Sequence, residues 1–372
     1  MLAPINIIFI VCLIYFLLLL VLTYYAKRIQ QTGSYSEFYL ANRNLSTLIL
    51  CFTLFASQYS GNTLLGMPAA TYRLGFEFFV CIIFPVSVIG AYLLFAPKLQ
   101  TLSQRYNFIT PADYIDHQFQ SRLLVNLVNL IYCIVLVSYI ITNLKVIGFV
   151  VSNLTQNKIT FIQAIIGLTF ILLIYETIGG MRAVVWTDAL QGLMMLIGCI
   201  LIFYFIQKEY GSVLSHLPSI RQQRPDFFAA PDFNSSLKWF SMILLAAFSV
   251  SLYPHAIQRI FAAKSAKALK NAFKIMLLLS FIVLVPVVLI GLTGVSLIPG
   301  LDKSASEEII PLLLTDLAEK SPYLNWLIIV FFISLIAAIM STIDSVILSL
   351  SSIVNRDFLK RKSQQIGKGR YI

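Results

Sequence analysis

The sequence predicts an all-α polytopic membrane protein. Composition is the first observation: of 372 residues, 59% are hydrophobic and 12% charged, against roughly 25% charge in a soluble domain. Mean hydropathy is +0.85. The second is length: nine apolar stretches are each long enough to span a bilayer as a helix, near 5–25, 46–70, 77–97, 123–152, 160–178, 184–207, 236–256, 272–298 and 324–354. Transmembrane strands would be shorter and would alternate in polarity. The chain therefore reads as a single membrane domain over 1–372, ending in a basic cytoplasmic tail over 355–372.

The third observation is where the charge falls. The net charge is +11. Lys27, Arg28 and Arg43 follow the first stretch, and Lys98, Arg105 and Arg122 the third. Arg182 lies in the turn between the fifth and sixth, and Arg259, Lys264, Lys267, Lys270 and Lys274 follow the seventh. Arg356, Lys360, Arg361, Lys362, Lys368 and Arg370 follow the ninth. These alternate connections hold 18 of the 27 Lys and Arg residues. The positive-inside rule then puts the N-terminus outside and the C-terminus in the cytoplasm of an inner, plasma-type membrane, as nine crossings require. The basic balance is a topology signal and does not point to nucleic acid.

Taken in order, the first stretch lacks a small-residue cleavage site and is too long for a signal-peptide core, so it reads as a retained helix. The second, Phe52 to Pro68, carries Thr53, Ser57, Gln58, Ser60, Asn62 and Thr63 together with Gly61, Gly66 and Pro68. A spanning helix tolerates such residues where the freed backbone groups face protein, water or a ligand. It reads either as a Pro-kinked helix packed on its neighbours or as an interrupted helix at a transporter binding site. Glu176 ends the fifth stretch and is expected at the membrane interface. The connection from about 208 to 235, with Pro218, Pro225 and Pro231, reads as an external loop. The seventh stretch ends in Ser249-Val250-Ser251-Leu252-Tyr253-Pro254-His255, a second polar, Pro-bearing interruption. With the first helix counted as extra, stretches two and seven open successive five-helix units, as an inverted repeat would have it. The external connection near 300–322 predicts a short helix capped by Ser304 or Ser306.

The ninth stretch contains Ala337-Ala338-Ile339-Met340-Ser341-Thr342-Ile343-Asp344-Ser345. Hydrocarbon gives polar groups no partner, so these side chains face a cavity, an ion or another helix. Ser341 and Thr342, with a nearby carbonyl, can contribute to an oxygen cage for a hard cation. Alternatively they bond back to the preceding turn and aid packing. Five cysteines lie in apolar stretches without a CxxC spacing, and three histidines are scattered. Neither a disulfide framework nor a zinc site follows. No nucleophile–base set, paired carboxylates or nucleotide loop marks the chain as an enzyme.

Four motifs line up along the chain: Thr110-Pro111-Ala112-Asp113-Tyr114-Ile115, Gly179-Gly180-Met181-Arg182-Ala183-Val184-Val185-Trp186-Thr187-Asp188-Ala189-Leu190-Gln191, Pro254-His255-Ala256-Ile257-Gln258-Arg259-Ile260-Phe261-Ala262-Ala263-Lys264-Ser265, and the Ser-Thr run. In this order they resemble the sodium:solute symporter family, carriers of proline, pantothenate, monocarboxylates or sugars, from about Tyr35 to Leu359. The resemblance implies a leucine-transporter-type inverted-repeat core preceded by one extra helix. It implies a sodium site between stretches two and nine, built from the carbonyls of Ala56, Tyr59 and Ala338 and the hydroxyls of Ser341 and Thr342. Sodium is then the coupling ion. A hard monovalent cation suits five neutral oxygens, which hold it weakly enough for release.

Asp188 reads either as a cap for the sixth helix or, by the resemblance, as part of a second ion site or gate. Asp344, two positions past the Ser-Thr pair, points elsewhere on the helix. The architecture places solute beside the breaks, where Gln58, Asn62, Thr63, Ser249 and Tyr253 are the lining candidates and Tyr139 a further one. The proline carriers place aromatic residues where this chain has Asn62, Ala246 and Val250, which counts against a proline pocket. The family core has ten helices after the extra one, so the last two are expected to be missing here. The function expected is symport: sodium-driven import of a small organic solute by alternating access, in contact with membrane lipid. The alternative is a non-transporting sensor or regulatory relative, or an inactive truncated product of the same fold.

Overall fold

The computed structural model describes residues 5–29, 34–155, 157–228 and 232–360. Pro231 of the expected external loop, and Arg361, Lys362, Lys368 and Arg370 of the expected basic tail, lie outside them. The chain runs through α1 (Ile5–Arg28), α2 (Tyr35–Leu40), α3 (Thr47–Gln58), α4 (Gly61–Leu64), α5 (Gly66–Leu74), α6 (Phe84–Tyr106), α7 (Pro111–Phe119) and α8 (Arg122–Leu154). It continues through α9 (Phe161–Tyr210), α10 (Val213–Gln223), α11 (Phe233–Ser251), α12 (Pro254–Ala262), α13 (Ala266–Leu297), α14 (Lys303–Ser306), α15 (Ile309–Lys320) and α16 (Trp326–Ser352). A π-helical extension, Ile353–Lys360, follows α16.

By length and composition, seven helical runs among the described residues can cross a membrane. Two are too long for one crossing. The 50 residues of α9 would reach about 75 Å, against about 30 Å of hydrocarbon. The chain turns at Gly180 (φ 55, ψ −152), dividing α9 into arms 161–179 and 181–210. A Cβ there would meet the Phe38 carbonyl oxygen at 2.7 Å, and this backbone region is essentially closed to residues other than glycine. The 46-residue run Gly61–Tyr106 breaks likewise, at Gly75 (φ 57, ψ −133).

The second stretch is interrupted. α3 ends at Gln58, Tyr59 and Ser60 are extended, and α4 restarts at Gly61 with the Ser60 hydroxyl accepting from the Asn62 N–H at 3.3 Å. Gly61 lets α4 approach α16 closely, since a Cβ there would lie 2.6 Å from the Ile339 side chain. The seventh stretch breaks in the corresponding way: α11 ends at Ser251, and Pro254 opens α12, where its missing N–H does no harm. α16 is the central element. Its most apolar window is 78% buried, against 17% for α8, and it packs mainly on α9, with α8, α3 and α12 around it.

Three expectations need correction. The connection near 300–322 holds two helices, and the cap of α14 is Asp302, which accepts from the Ala305 N–H at 2.7 Å. Ser306 instead accepts from Arg73 at 2.7 Å, while the longer α15 has no side-chain cap. Glu176 does not face outward; it is 5% exposed, inside the bundle. Arg259 is not a loop charge, because α12 carries it fully buried into the core.

Candidate functional site

The break after Gln58 leaves α3 with carbonyls that no helical N–H can reach. The Tyr59 N–H satisfies Phe55 at 3.2 Å. The Ala56 carbonyl is met from another helix: the Ser341 hydroxyl of α16 lies 2.9 Å from it and 3.0 Å from the Ala338 carbonyl. The Thr342 hydroxyl also donates to Ala338, at 3.0 Å. That Thr342 bond is the ordinary bond back to the preceding turn. The Ser341–Ala56 bond is not, since it joins two helices. Ala56, Ala338, Ser341 and Thr342 are all buried, as is Tyr59, where the backbone leaves α3 (φ −102, ψ 107). The donor set is neutral oxygen throughout, the chemistry that suits a hard monovalent cation held reversibly.

Beside it lies a buried charge network. Asp188, about two turns past Gly180, is inside α9 and caps nothing. Its Oδ2 lies 2.8 Å from Arg259 Nη2 and accepts from the Thr53 hydroxyl. Arg259 also donates through Nε to Thr53 at 2.7 Å, through Nη1 to the His255 carbonyl at 3.1 Å, and through Nη2 to the Ser345 hydroxyl. Ser345 in turn donates to the Ser341 carbonyl at 2.7 Å. One guanidinium therefore ties α3, α9, α12 and α16 together, one helical turn from Ser341. Asp344 accepts from the Tyr175 hydroxyl. Neither Glu176 oxygen has a hydrogen-bond partner among the described residues.

Of the lining candidates, Tyr253 packs with Tyr139 and His255, at ring-centroid distances of 6.1 and 5.3 Å. The three rings border a cavity of about 290 Å³ between α8 and the α11–α12 break. Gln58, Asn62, Thr63 and Ser249 do not line that cavity. Thr63 is buried, Gln58 and Ser249 are half-buried, and Asn62 is exposed.

A sequence model of the sodium:solute symporter family matches residues 38–368. The chain belongs to that family. Among its relatives are the sodium/pantothenate symporters of Haemophilus influenzae, 28% identical over 326 residues, and of Escherichia coli, 27% identical over 282. These matches cover 87% and 74% of this chain, and 66% and 58% of the relatives. A sodium/proline symporter of Staphylococcus aureus is 25% identical over 361 residues, covering 95% of this chain and 68% of that protein. The chain thus spans about two thirds or less of the length of the pantothenate relatives. A solved structure of a Na+-coupled sialic acid symporter, in a substrate-bound outward-open state, superposes with a TM-score of 0.74 at 20% identity. It covers 95% of this chain and 74% of that one. The likeness shows the fold, the leucine-transporter type that the motifs implied.

Two features of this symporter-family chain escaped sequence reasoning. Arg259 read as a loop cation because it follows a span. The signal against that was Asp188, a carboxylate within a membrane helix, which demands a buried counter-charge. Glu176 read as interfacial because it ends the fifth stretch, and nothing local marks it as enclosed.

Proposed function

We propose that this chain is a sodium-coupled symporter that imports a small organic solute by alternating access. In this reading nine helices cross the plasma membrane, with the N-terminus outside and the C-terminus in the cytoplasm. Ala56, Tyr59, Ala338, Ser341 and Thr342 hold the sodium ion. The Ser341–Ala56 contact carries the reading: it brings a hydroxyl of the central helix to a carbonyl freed by a helix break, and a cation arriving there replaces hydrogen bonds already aimed inward. Because α3 and α16 both supply oxygens, a bound ion draws them together, and its loss lets the broken α3–α4 element move against α16. Family membership supports sodium coupling. The names of the relatives support a small organic solute, with pantothenate and proline as the first probes. The solute binds beside the breaks at Tyr59–Ser60 and Leu252–Tyr253, with Gln58, Asn62, Thr63, Ser249 and Tyr253 nearby in sequence. Asp188, neutralised by Arg259, acts here as a strut between moving helices.

The test is uptake of labelled pantothenate and proline by a transport-deficient host expressing the chain, in sodium and in choline buffer. Uptake of either probe that requires sodium, and that Ser341→Ala with Thr342→Ala abolishes, supports the proposal. Uptake that is equal in both buffers sinks it.

A further inference from the structure

The larger of the two described cavities, about 420 Å³, lies away from the sodium-type site, between α6, α7, α8 and the α11–α12 junction. Leu94, Phe95, Tyr114, Tyr132 and Leu252 line it, together with one charged residue, Lys98. Leu94 is 75% exposed and Leu252 52%, so the groove opens outward from the bundle. Leu94 falls within an apolar run long enough to span, which puts that opening against acyl chains and not water. Lys98 is exposed and has no ion-pair partner among the described residues. It begins the basic end of α6. Two turns on comes Arg105, and Lys264, also exposed, is brought beside α6 by the 3.2 Å bond from Gln104 Nε2 to its carbonyl.

An apolar groove that faces hydrocarbon and carries Lys98, exposed and without an ion-pair partner among the described residues, has the pattern of a phospholipid, tail first and headgroup last. The charge selects among headgroups. A zwitterionic lipid brings its own cation to the lysines, whereas an anionic one supplies the missing counter-charge. We propose that this groove binds an anionic phospholipid, with an acyl chain along Leu94, Phe95 and Leu252 and the headgroup phosphate at Lys98, in the field of Lys264. The inference does not depend on the transport reading.

Lipid retention by the full chain tests it. The purified protein is equilibrated with equal amounts of phosphatidylglycerol and phosphatidylcholine, washed, and its bound lipid measured by mass spectrometry. The wild type is expected to retain phosphatidylglycerol preferentially. Lys98→Gln should reduce that preference about fivefold, the effect of one lysine near a headgroup layer, while Lys98→Arg should keep it. Leu94→Trp, which fills the groove, should lower retention of both lipids. Equal retention of the two lipids by the wild type overturns the proposal. So does an undiminished preference in a Lys98→Gln protein that elutes as the wild type does.

Discussion

Arg259 Nη2 lies 2.8 Å from Asp188 Oδ2, and neither side chain has any exposed surface. Two charges taken out of water this completely are stable only together: the desolvation each suffers is offset by the other and by hydrogen bonds on the remaining donors. Thr53, the His255 carbonyl and Ser345 provide those bonds. The pair therefore joins the broken element α3 to the central helix through a shared guanidinium.

Removing one partner is expected to be worse than removing both. Arg259→Met should cost about 3–5 kcal/mol, because Asp188 is left charged and unpaired in the interior. Arg259→Met combined with Asp188→Leu should lose less than Arg259→Met alone. Thermal unfolding of the detergent-solubilised variants checks this, and a double variant less stable than the single one would refute the argument.

A second ion pair, with a buried carboxylate and a half-buried arginine, holds the turn beside Gly180. Glu37 is 1% exposed and accepts from both Arg182 and Asn42. Arg182→Ala should strand a buried carboxylate, whereas Glu37→Gln leaves a neutral group that can still bond. The thermal unfolding midpoint should accordingly fall more for Arg182→Ala than for Glu37→Gln. Equal falls would mean that the charge plays no part.

Gly180 itself gives a backbone prediction. With φ 55 and ψ −152, and the Phe38 carbonyl 2.7 Å from a would-be Cβ, Gly180→Ala should cost roughly 1–3 kcal/mol in strain. Unfolding curves for Gly180→Ala at or above wild-type stability would contradict the prediction.

Much of this was legible in the sequence because membrane spans and helix breakers act locally. The turn between the fifth and sixth stretches was marked by Gly179-Gly180, and the interruption after Gln58 by Ser60, Gly61 and Pro68. The meeting of Ser341 with Ala56 was not local. The motif resemblance supplied it, and nothing in either helix alone would have done so. Arg259 shows the limit most clearly. A cation after a span reads as a loop residue until the partner across the bundle is known, and its four hydrogen-bonding partners come from four separate helices. The Asp302 cap of α14 was missed for a smaller reason: Ser304 and Ser306 are also good capping residues, and the helix start decides among them.

The proposed cation site makes a last prediction that needs no solute. An ion that binds the folded chain and not the unfolded one raises stability by RT ln(1 + [L]/Kd), about 2.7 kcal/mol at a hundredfold excess over Kd. The unfolding midpoint should therefore climb with sodium chloride and stay flat with choline chloride at the same ionic strength. Ser341→Ala removes one oxygen of the proposed cage and the bond to Ala56, so it should lower the baseline by about 1 kcal/mol and flatten the sodium dependence. Arg182→Ala, far from the cage, should lower the baseline but keep the sodium dependence. If Ser341→Ala still responds to sodium as the wild type does, the ion binds somewhere other than between α3 and α16.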